Sequence, residues 1–182
     1  MAAARRSSRR PPITPSQFRL LTCLQLFAVP PLFFRPDVAE LASAPLPSTF
    51  LFAAATRSQF DDDRPQVHDS NGLSIHGGDG ELAWRALNNP PSLANSYIAQ
   101  TNPKAFGLMQ RDRDFESYQD AGARYDLRLS MLVEPIGDWG EGHIRLIEVP
   151  AILEADDKIV AFRVPAKPFQ SGDSAEFIYR LR

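Results

Sequence analysis

The stretch MLVEPIGDWGEGHIRLIEVP, residues 131–150, is the part of the sequence that decides the fold class. Between His143 and Val149 apolar residues alternate with polar ones, which is the period of a half-buried β-strand. A further strand is predicted at residues 131–133, and the glycines between the two segments indicate a turn. The stretch therefore predicts consecutive antiparallel strands, as in a β-meander.

The same signals continue on both sides of this stretch. Downstream, strands are predicted at residues 159–164 and 176–181, and a shared face of the first of them is predicted for Val160, Phe162 and Val164. Upstream, a hairpin is predicted around the turn at residues 77–80. Further short strands are predicted at residues 50–55, 97–99 and 105–109. No segment has the periodicity of a long helix, so the sequence predicts an all-β chain forming part of a large antiparallel β-sandwich.

Composition narrows the possible partners and cofactors. The 182 residues are enough for one domain with a core, and 43% of them are hydrophobic. A formal net charge of -2 gives no reason to expect nucleic acid or an anionic membrane as partner. The single cysteine, Cys23, excludes an intramolecular disulfide and a cysteine-based metal cage. The three histidines lack metal-ligand spacing, so neither a metal site nor a cofactor is predicted.

Residues 1–48 differ in composition from residues 49–182, which are taken as the β-sandwich domain. Eight of the sixteen prolines lie in the first 47 residues, together with an arginine cluster. The apolar run Leu20–Val29 is too short to span a bilayer. A basic start, this run and the Ala42-Ser43-Ala44 site fit a secretory signal. The alternative is a disordered or wrongly joined leader.

Residues 111–120, RDRDFESYQD, carry the densest charge outside the leader. The acidic members are Asp112, Asp114, Glu116 and Asp120. Glycoside hydrolysis uses two carboxyl groups, one of which must be protonated at working pH. Because Arg111 and Arg113 favour the charged form of a neighbouring acid, at most one acidic residue here would donate a proton. The alternative is a solvated loop with surface ion pairs that contribute little.

The aromatic residues offer a second candidate feature, since sugar rings pack on aromatic faces. The candidates are Trp84, Tyr97, Phe106, Tyr118, Tyr125 and Trp139. Trp139 lies in the glycine-rich turn and is therefore expected at the surface. The alternative for each aromatic is an ordinary place in the core. His68-Asp69-Ser70 predicts a turn, because adjacent residues cannot relay protons as a catalytic triad does.

Several long blocks give the sequence a family resemblance. They are DDDRPQVHDSNGL (61–73), WRALNNP (84–90), FGLMQRDRDFESYQDAGARYDLR (106–128), VEPIGDWGEGHIRLIEVP (133–150) and KIVAFRVP (158–165). From about Phe52 to Arg182 the chain resembles the periplasmic glucan biosynthesis protein G/D family (MdoG/OpgG and OpgD). The resemblance implies part of a galactose-mutarotase-like N-terminal β-sandwich. It also implies that a smaller immunoglobulin-like domain follows in complete members.

The resemblance also implies a function and a set of site residues. Family members act in the periplasm in the biosynthesis of osmoregulated periplasmic glucans, and hydrolyse β-1,2-linked glucan with inversion. The family motif QRxRDF falls on Gln110–Phe115, so the general acid would be Asp114, with Asp112 as the weaker candidate. The base would lie upstream of the matching blocks. The candidate substrate-binding residues are Arg111, Arg113, Tyr118, Trp84 and Trp139. The expected partner is a β-1,2-glucan, with the membrane involved only indirectly through the glucan-synthesis machinery.

The sequence departs from the family pattern at two places. The family pattern has tryptophan where this chain has Arg163, and RPSxWVEP where it has RLSMLVEP at residues 128–135. The last strand ends at the final residue with no partner after it, which indicates a piece of something larger. Three hypotheses follow. The chain is a fragment of a β-glucan-processing enzyme, a non-catalytic glucan-binding or scaffold module, or a truncated remnant that does not fold alone.

Overall fold

The computed structural model describes residues 42–155, 157–170, 173 and 175–182. This part of the chain forms eleven strands and three short 3-10 helices. The strands are β1 Ser43–Ser48, β2 Phe50–Phe52, β3 Val67–His68, β4 Gly72–His76, β5 Leu82–Ala86, β6 Ala94–Thr101, β7 Ala105–Met109, β8 Met131–Pro135, β9 Glu141–Glu148, β10 Ile159–Pro165 and β11 Tyr179–Leu181. The 3-10 helices are Ala54–Gln59, Phe115–Ser117 and Tyr125–Leu127. Among the described residues, no helix is long and apolar enough to cross a membrane.

The strands form two main sheets, and every pairing in them is antiparallel. Sheet A has four strands in the order β1-β10-β9-β6, and sheet B has five in the order β11-β8-β7-β4-β5. Strands β2 and β3 form a separate pair. The predicted hairpin is confirmed, because β4 pairs with β5 from Gly72↔Ala86 to His76↔Leu82. The expectation of an all-β antiparallel fold is likewise confirmed.

The main core lies between the two sheets. Sheet A contributes residues such as Ile144 and Leu146, and sheet B contributes residues such as Ile75 and Phe106, all of them buried in one cluster. Alternation along each strand puts these apolar side chains on the inner faces. A second, smaller cluster joins β2 and β3 to the loop after β7; its buried members are Leu51, Phe52, Val67, Tyr118 and Tyr125. This smaller cluster holds the loop between β7 and β8, residues 110–130, against the sandwich.

The expected meander is wrong at its centre. Strand β8 lies in sheet B and strand β9 in sheet A, so the glycine-rich segment between them carries the chain across the sandwich. Gly137 and Gly140 allow this path with φ values of 80° and 68°. The alternation in β8 and β9 requires one buried face for each strand. It does not specify that the two strands pair, which is why the sequence pattern did not distinguish a hairpin from a crossing.

Val160, Phe162 and Val164 share one face of β10 as predicted, but this face is not the one that packs into the main core. Ile159 and Ala161 point into the core between the sheets. Val160, Phe162 and Val164 therefore lie on the opposite face. Arg163 falls on the inner face and is fully buried. A strand that is apolar on both faces carries no period-2 signal, so the buried arginine could not be inferred from the sequence alone.

The sandwich begins before the boundary expected at residue 48. Strand β1 lies within the predicted leader and pairs with β10 from Ser43↔Arg163 to Ser48↔Ile159. Its prolines, Pro45 and Pro47, are exposed, and β1 is an edge strand, where proline is tolerated. The proline-rich composition of residues 43–48 therefore did not indicate strand β1. Residues 1–41, with the apolar run at 20–29 and Cys23, lie outside the described residues.

Candidate functional site

The acidic loop, residues 110–130, connects β7 to β8 at one end of sheet B. Gln110 is buried and anchors the start of the loop, because its Nε2 donates to the backbone carbonyl of His68 at 3.1 Å and to that of Tyr125 at 3.4 Å. The backbone N–H of Gln110 donates to Oγ of Ser130 at 2.9 Å. These bonds, together with the smaller core cluster, hold the loop in a defined position, so it is not a freely solvated surface loop.

Asp112 points inward from this loop and is held by several donors. Its Oδ2 accepts from Nε2 of Gln66 at 2.9 Å, and its Oδ1 accepts from the backbone N–H of Asp114 at 3.1 Å. Burial acts to raise the pKa of Asp112, but hydrogen bonds from Ser117, Asp114 and Gln66 outweigh it, so the pKa lies below its ordinary value. Asp112 is therefore ionised at neutral pH and is a poor proton donor.

Asp114 points outward and is exposed. It caps the 3-10 helix Phe115–Ser117, since its Oδ1 accepts from the backbone N–H of Glu116 at 3.1 Å. Within the described part of the chain, no hydrogen bond engages its second oxygen. Two aspartates two residues apart thus face in different directions, one held by the protein and one open to a ligand.

Arg111 and Trp84 are brought together on the outer face of sheet B. The guanidinium carbon of Arg111 lies 4.8 Å from the centroid of the Trp84 ring. The ring rests on Gly72 of the neighbouring strand, where a Cβ atom would come within 1.9 Å of Cζ2 of Trp84. Trp84 remains 41% exposed, so this pair forms an accessible aromatic and cationic surface.

The other predicted binding residues are placed differently. Arg113 is exposed, and its Nη2 donates to Oγ of Ser130 at 3.1 Å, while Nη1 donates to the carbonyl of Arg128. Tyr118 is fully buried, and its hydroxyl donates to the backbone carbonyl of Asp112 at 3.1 Å. The structure therefore ties Arg113 to the end of the acidic loop and Tyr118 to the backbone of Asp112.

Trp139 does not lie at the surface, so that expectation is wrong. It is 7% exposed and belongs to the main core. Its ring packs edge-on against Phe177 and Tyr179, at centroid distances of 5.3 Å and 6.1 Å. The flanking Gly137 and Gly140 turn the crossing segment inward, and a bulky aromatic then gains more by burial than by exposure.

Sequence reasoning missed the ion-pair cluster that ties this loop to its neighbours. The guanidinium of Arg64 contacts the carboxylates of Asp62 at 2.7 Å, Asp120 at 2.5 Å and Glu154 at 2.7 Å. Hydrogen bonds from Arg64 lower the pKa of Asp62 and Glu154, while the pKa of Asp120 is lowered first by the backbone N–H of Ala123 and also by Arg64. Asp120 is thus a structural ion-pair partner. The run DDDR at residues 61–64 indicated a cluster of charge in the sequence. It did not indicate that Asp120 and Glu154 would pair with Arg64.

Gln66 and His68 are two further site residues that the sequence did not single out. His68, expected in a turn, ends strand β3 and is fully buried. Its Nε2 lies 3.0 Å from Oε1 of Gln66, whose amide nitrogen contacts Asp112. Across the described residues, no group of three or more histidine, cysteine or acidic side chains is arranged to hold a metal ion.

Comparison with known proteins gives a consistent family match. The family model "Periplasmic glucan biosynthesis protein, MdoG" matches residues 28–182. "Glucans biosynthesis protein G" of Cereibacter sphaeroides is 56% identical over 151 residues, covering 83% of this chain and 28% of that protein. The proteins of the same name from Sodalis glossinidius and Pseudomonas aeruginosa are 50% and 48% identical over 149 residues, again covering 82% of this chain and 28% of each relative. The chain therefore spans about 28% of the length of these curated relatives.

Proposed function

This chain belongs to the periplasmic glucan biosynthesis protein MdoG family, and from that premise we propose that it acts in the biosynthesis of osmoregulated periplasmic glucans. Its partner in this proposal is a β-1,2-linked glucan backbone, which the intact fold cleaves with inversion. The place of action is the periplasm, as the family description supports. Residues 49–182, extended upstream by β1, are part of a larger N-terminal β-sandwich domain in this proposal.

The observation that carries the proposal is the contrast between the two aspartates of the acidic loop. Asp112 is held as a carboxylate by Gln66 and by backbone, whereas Asp114 is exposed with an oxygen available to a ligand. A general acid must reach the glycosidic oxygen and deliver a proton to it. Asp114 suits that role and Asp112 does not. An inverting reaction also needs a base on the other side of the sugar, and the family resemblance assigns that base upstream of the matching blocks.

In this proposal the Trp84–Arg111 pair supplies the binding contribution, with Arg111 three residues before Asp114 in the same loop. Trp84 offers a partly exposed ring on which the C–H face of a glucose unit can pack, and Arg111 and Arg113 offer donors for its hydroxyl groups. Tyr118 and Trp139 are buried, so in this proposal neither stacks on sugar, and only Tyr118 contacts the acidic loop.

A catalytic test compares two substitutions on linear β-1,2-glucan, with new reducing ends as the readout. Asp114→Asn is expected to lower the cleavage rate by about 100-fold or more while leaving binding intact, since it removes the transferable proton. Asp112→Asn should lower the rate much less. Equal losses in the two variants would contradict the assignment of Asp114 as the acid.

A second candidate function is a non-catalytic glucan-binding or scaffold module. It is favoured by the exposed Trp84–Arg111 pair, which can bind sugar, and by the lack of a residue assigned as the catalytic base among those described. It predicts heat on titration with β-1,2-glucan but no new reducing ends. Trp84→Ala should weaken binding by about tenfold, and Tyr97→Ala, an exposed aromatic on sheet A, is the matched control. Absence of heat with the wild-type chain would reject both functions. Absence of a cooperative melt would instead support a remnant that does not fold alone.

A further inference from the structure

His68 is packed as a rigid buried element beneath the acidic loop. Its ring stacks on Phe50 with centroids 5.2 Å apart and an angle of 8° between the planes. Tyr118 meets the same ring edge-on, at 5.2 Å and 80°. With no exposed surface and rings on two sides, the plane of the imidazole is held in place, and Nε2 is the ring nitrogen that faces Gln66.

Gln66 links this imidazole to Asp112 in a way that fixes the direction of each hydrogen bond. An ionised carboxylate only accepts hydrogen bonds, so the group of Gln66 that faces Oδ2 of Asp112 at 2.9 Å must be its NH₂. The carbonyl oxygen of Gln66 then faces Nε2 of His68 at 3.0 Å and must accept from it. His68 therefore carries its proton on Nε2.

The same chain of contacts continues from Asp112 to Asp114. The second oxygen of Asp112, Oδ1, accepts from the backbone N–H of Asp114 at 3.1 Å. Tyr118 adds a bond to the Asp112 carbonyl at 3.1 Å. A displacement of the Asp112 carboxylate would thus move the backbone from which the Asp114 side chain projects.

We propose that His68 and Gln66 are positioning residues for the candidate active site, which hold Asp112 as an oriented carboxylate and through it set the position of Asp114. This inference rests on the proposed function only for the expected effect on catalysis; the expected effect on the pKa of Asp112 does not depend on it. Neither residue contacts the sugar. Asp112 is the connecting member of the chain, not the proton donor.

The electrostatics agree with this geometry. Burial lowers the pKa of His68 to about 4, against the opposing effects of Gln110 and the Asp112 carboxylate. The imidazole is therefore neutral near pH 7 and serves as a fixed donor to Gln66. The charged and titratable groups that face it are Asp112 from the acidic loop and Tyr118 from the segment packed on it.

The first experiment substitutes Gln66 and follows Asp112 directly by carboxyl ¹³C NMR. Gln66→Leu removes both hydrogen bonds at similar volume, so the pKa of Asp112 is expected to rise. Gln59→Leu makes the same exchange at an exposed position outside the chain of contacts, so it should leave Asp112 unchanged. An Asp112 titration in Gln66→Leu that superimposes on wild type would overturn the inference.

A catalytic readout separates positioning from binding. In Gln66→Leu, kcat on β-1,2-glucan should fall by about tenfold to 100-fold with KM unchanged, because misplacement of the acid affects proton transfer and not the binding surface. Trp84→Ala should show the opposite pattern, with KM raised. A rise in KM alone for Gln66→Leu would contradict a positioning role.

His68→Phe is a second, independent test in case Gln66→Leu does not fold. Phenylalanine keeps the stacking on Phe50 and Tyr118 but removes the Nε2 donor, so the variant should fold, raise the pKa of Asp112 and lower kcat. If His68→Phe shows the wild-type pKa of Asp112 and the wild-type kcat, the inference is overturned, even if Gln66→Leu fails to fold. If the wild-type chain cleaves no glucan, the proposed function fails. The Asp112 titration and the ¹⁵N shifts of His68, expected to report a protonated Nε2, still decide this inference.

Discussion

At the scale of single residues, Arg163 is the side chain whose placement opposes stability most clearly. It is fully buried on the inner face of β10. Its guanidinium donates to the backbone carbonyls of Gly140 at 2.8 Å and Trp139 at 3.4 Å, while its Nε has no hydrogen-bond partner among the described residues. Burial lowers the pKa of Arg163, which shows that the interior disfavours its charge.

Arg163→Met is therefore expected to stabilise the protein. Methionine fills similar space without a charge to desolvate, and the free energy of unfolding should rise by about 1–3 kcal/mol. Thermal denaturation followed by circular dichroism measures the effect. Arg180→Met, at an exposed position on β11, is the control and should change stability little. A lower melting temperature for Arg163→Met would show that the carbonyl hydrogen bonds outweigh desolvation.

At the scale of the elements, an ion pair between a buried carboxylate and a partly exposed arginine connects the two sheets. Glu148 at the end of β9 is fully buried, and its Oε2 accepts from Nη2 of Arg85 on β5 at 2.9 Å. Its Oε1 accepts from the backbone N–H of Asn88 at 2.7 Å. Because β9 belongs to sheet A and β5 is the edge of sheet B, this carboxylate joins strands that share no backbone pairing.

Glu148→Ala should lower the free energy of unfolding by about 1–3 kcal/mol, because it removes a fully buried carboxylate that accepts from the partly exposed Arg85 and from the Asn88 N–H. Urea denaturation measures the loss. Glu141→Ala, at the exposed start of the same strand, is the matched control. A loss no larger than that of the control would mean that water replaces the carboxylate at this end of the sandwich.

At the scale of the whole molecule, stability should depend on pH through two kinds of titrating group. The pKa of His68 is lowered to about 4 from an ordinary value of 6.5, so between these values the unfolded chain binds a proton that the folded chain does not. Stability is therefore lost as pH falls through that range, by about 3 kcal/mol. Asp62, Asp120 and Glu154 also have lowered pKa values, but their contribution is lost only below their ordinary values of 3.8 to 4.5.

The resulting prediction concerns unfolding free energies measured in urea at pH 7 and pH 5. Wild type should be less stable at pH 5, and His68→Phe should remove most of that difference. An additional loss below pH 4.5 should persist in His68→Phe, since it comes from carboxylates with lowered pKa values, among them the three around Arg64. Asp69, whose pKa burial raises, acts in the opposite direction in the acid range. Equal pH dependence in wild type and His68→Phe would contradict the role given to the imidazole.

The sequence by itself determined strands such as β9, predicted at residues 143–149, because a period of two is a local property. It did not indicate β1 or β3. The sequence also indicated Asp114 and Trp84 through the family blocks that contain them. Only the tertiary structure decided that β8 and β9 lie in different sheets, that Trp139 and Arg163 point inward, and that Gln66 reaches Asp112. The physical reason is that such contacts join residues far apart in the chain. Local propensity and alternation state that a side chain must be buried or paired, but not which distant surface receives it.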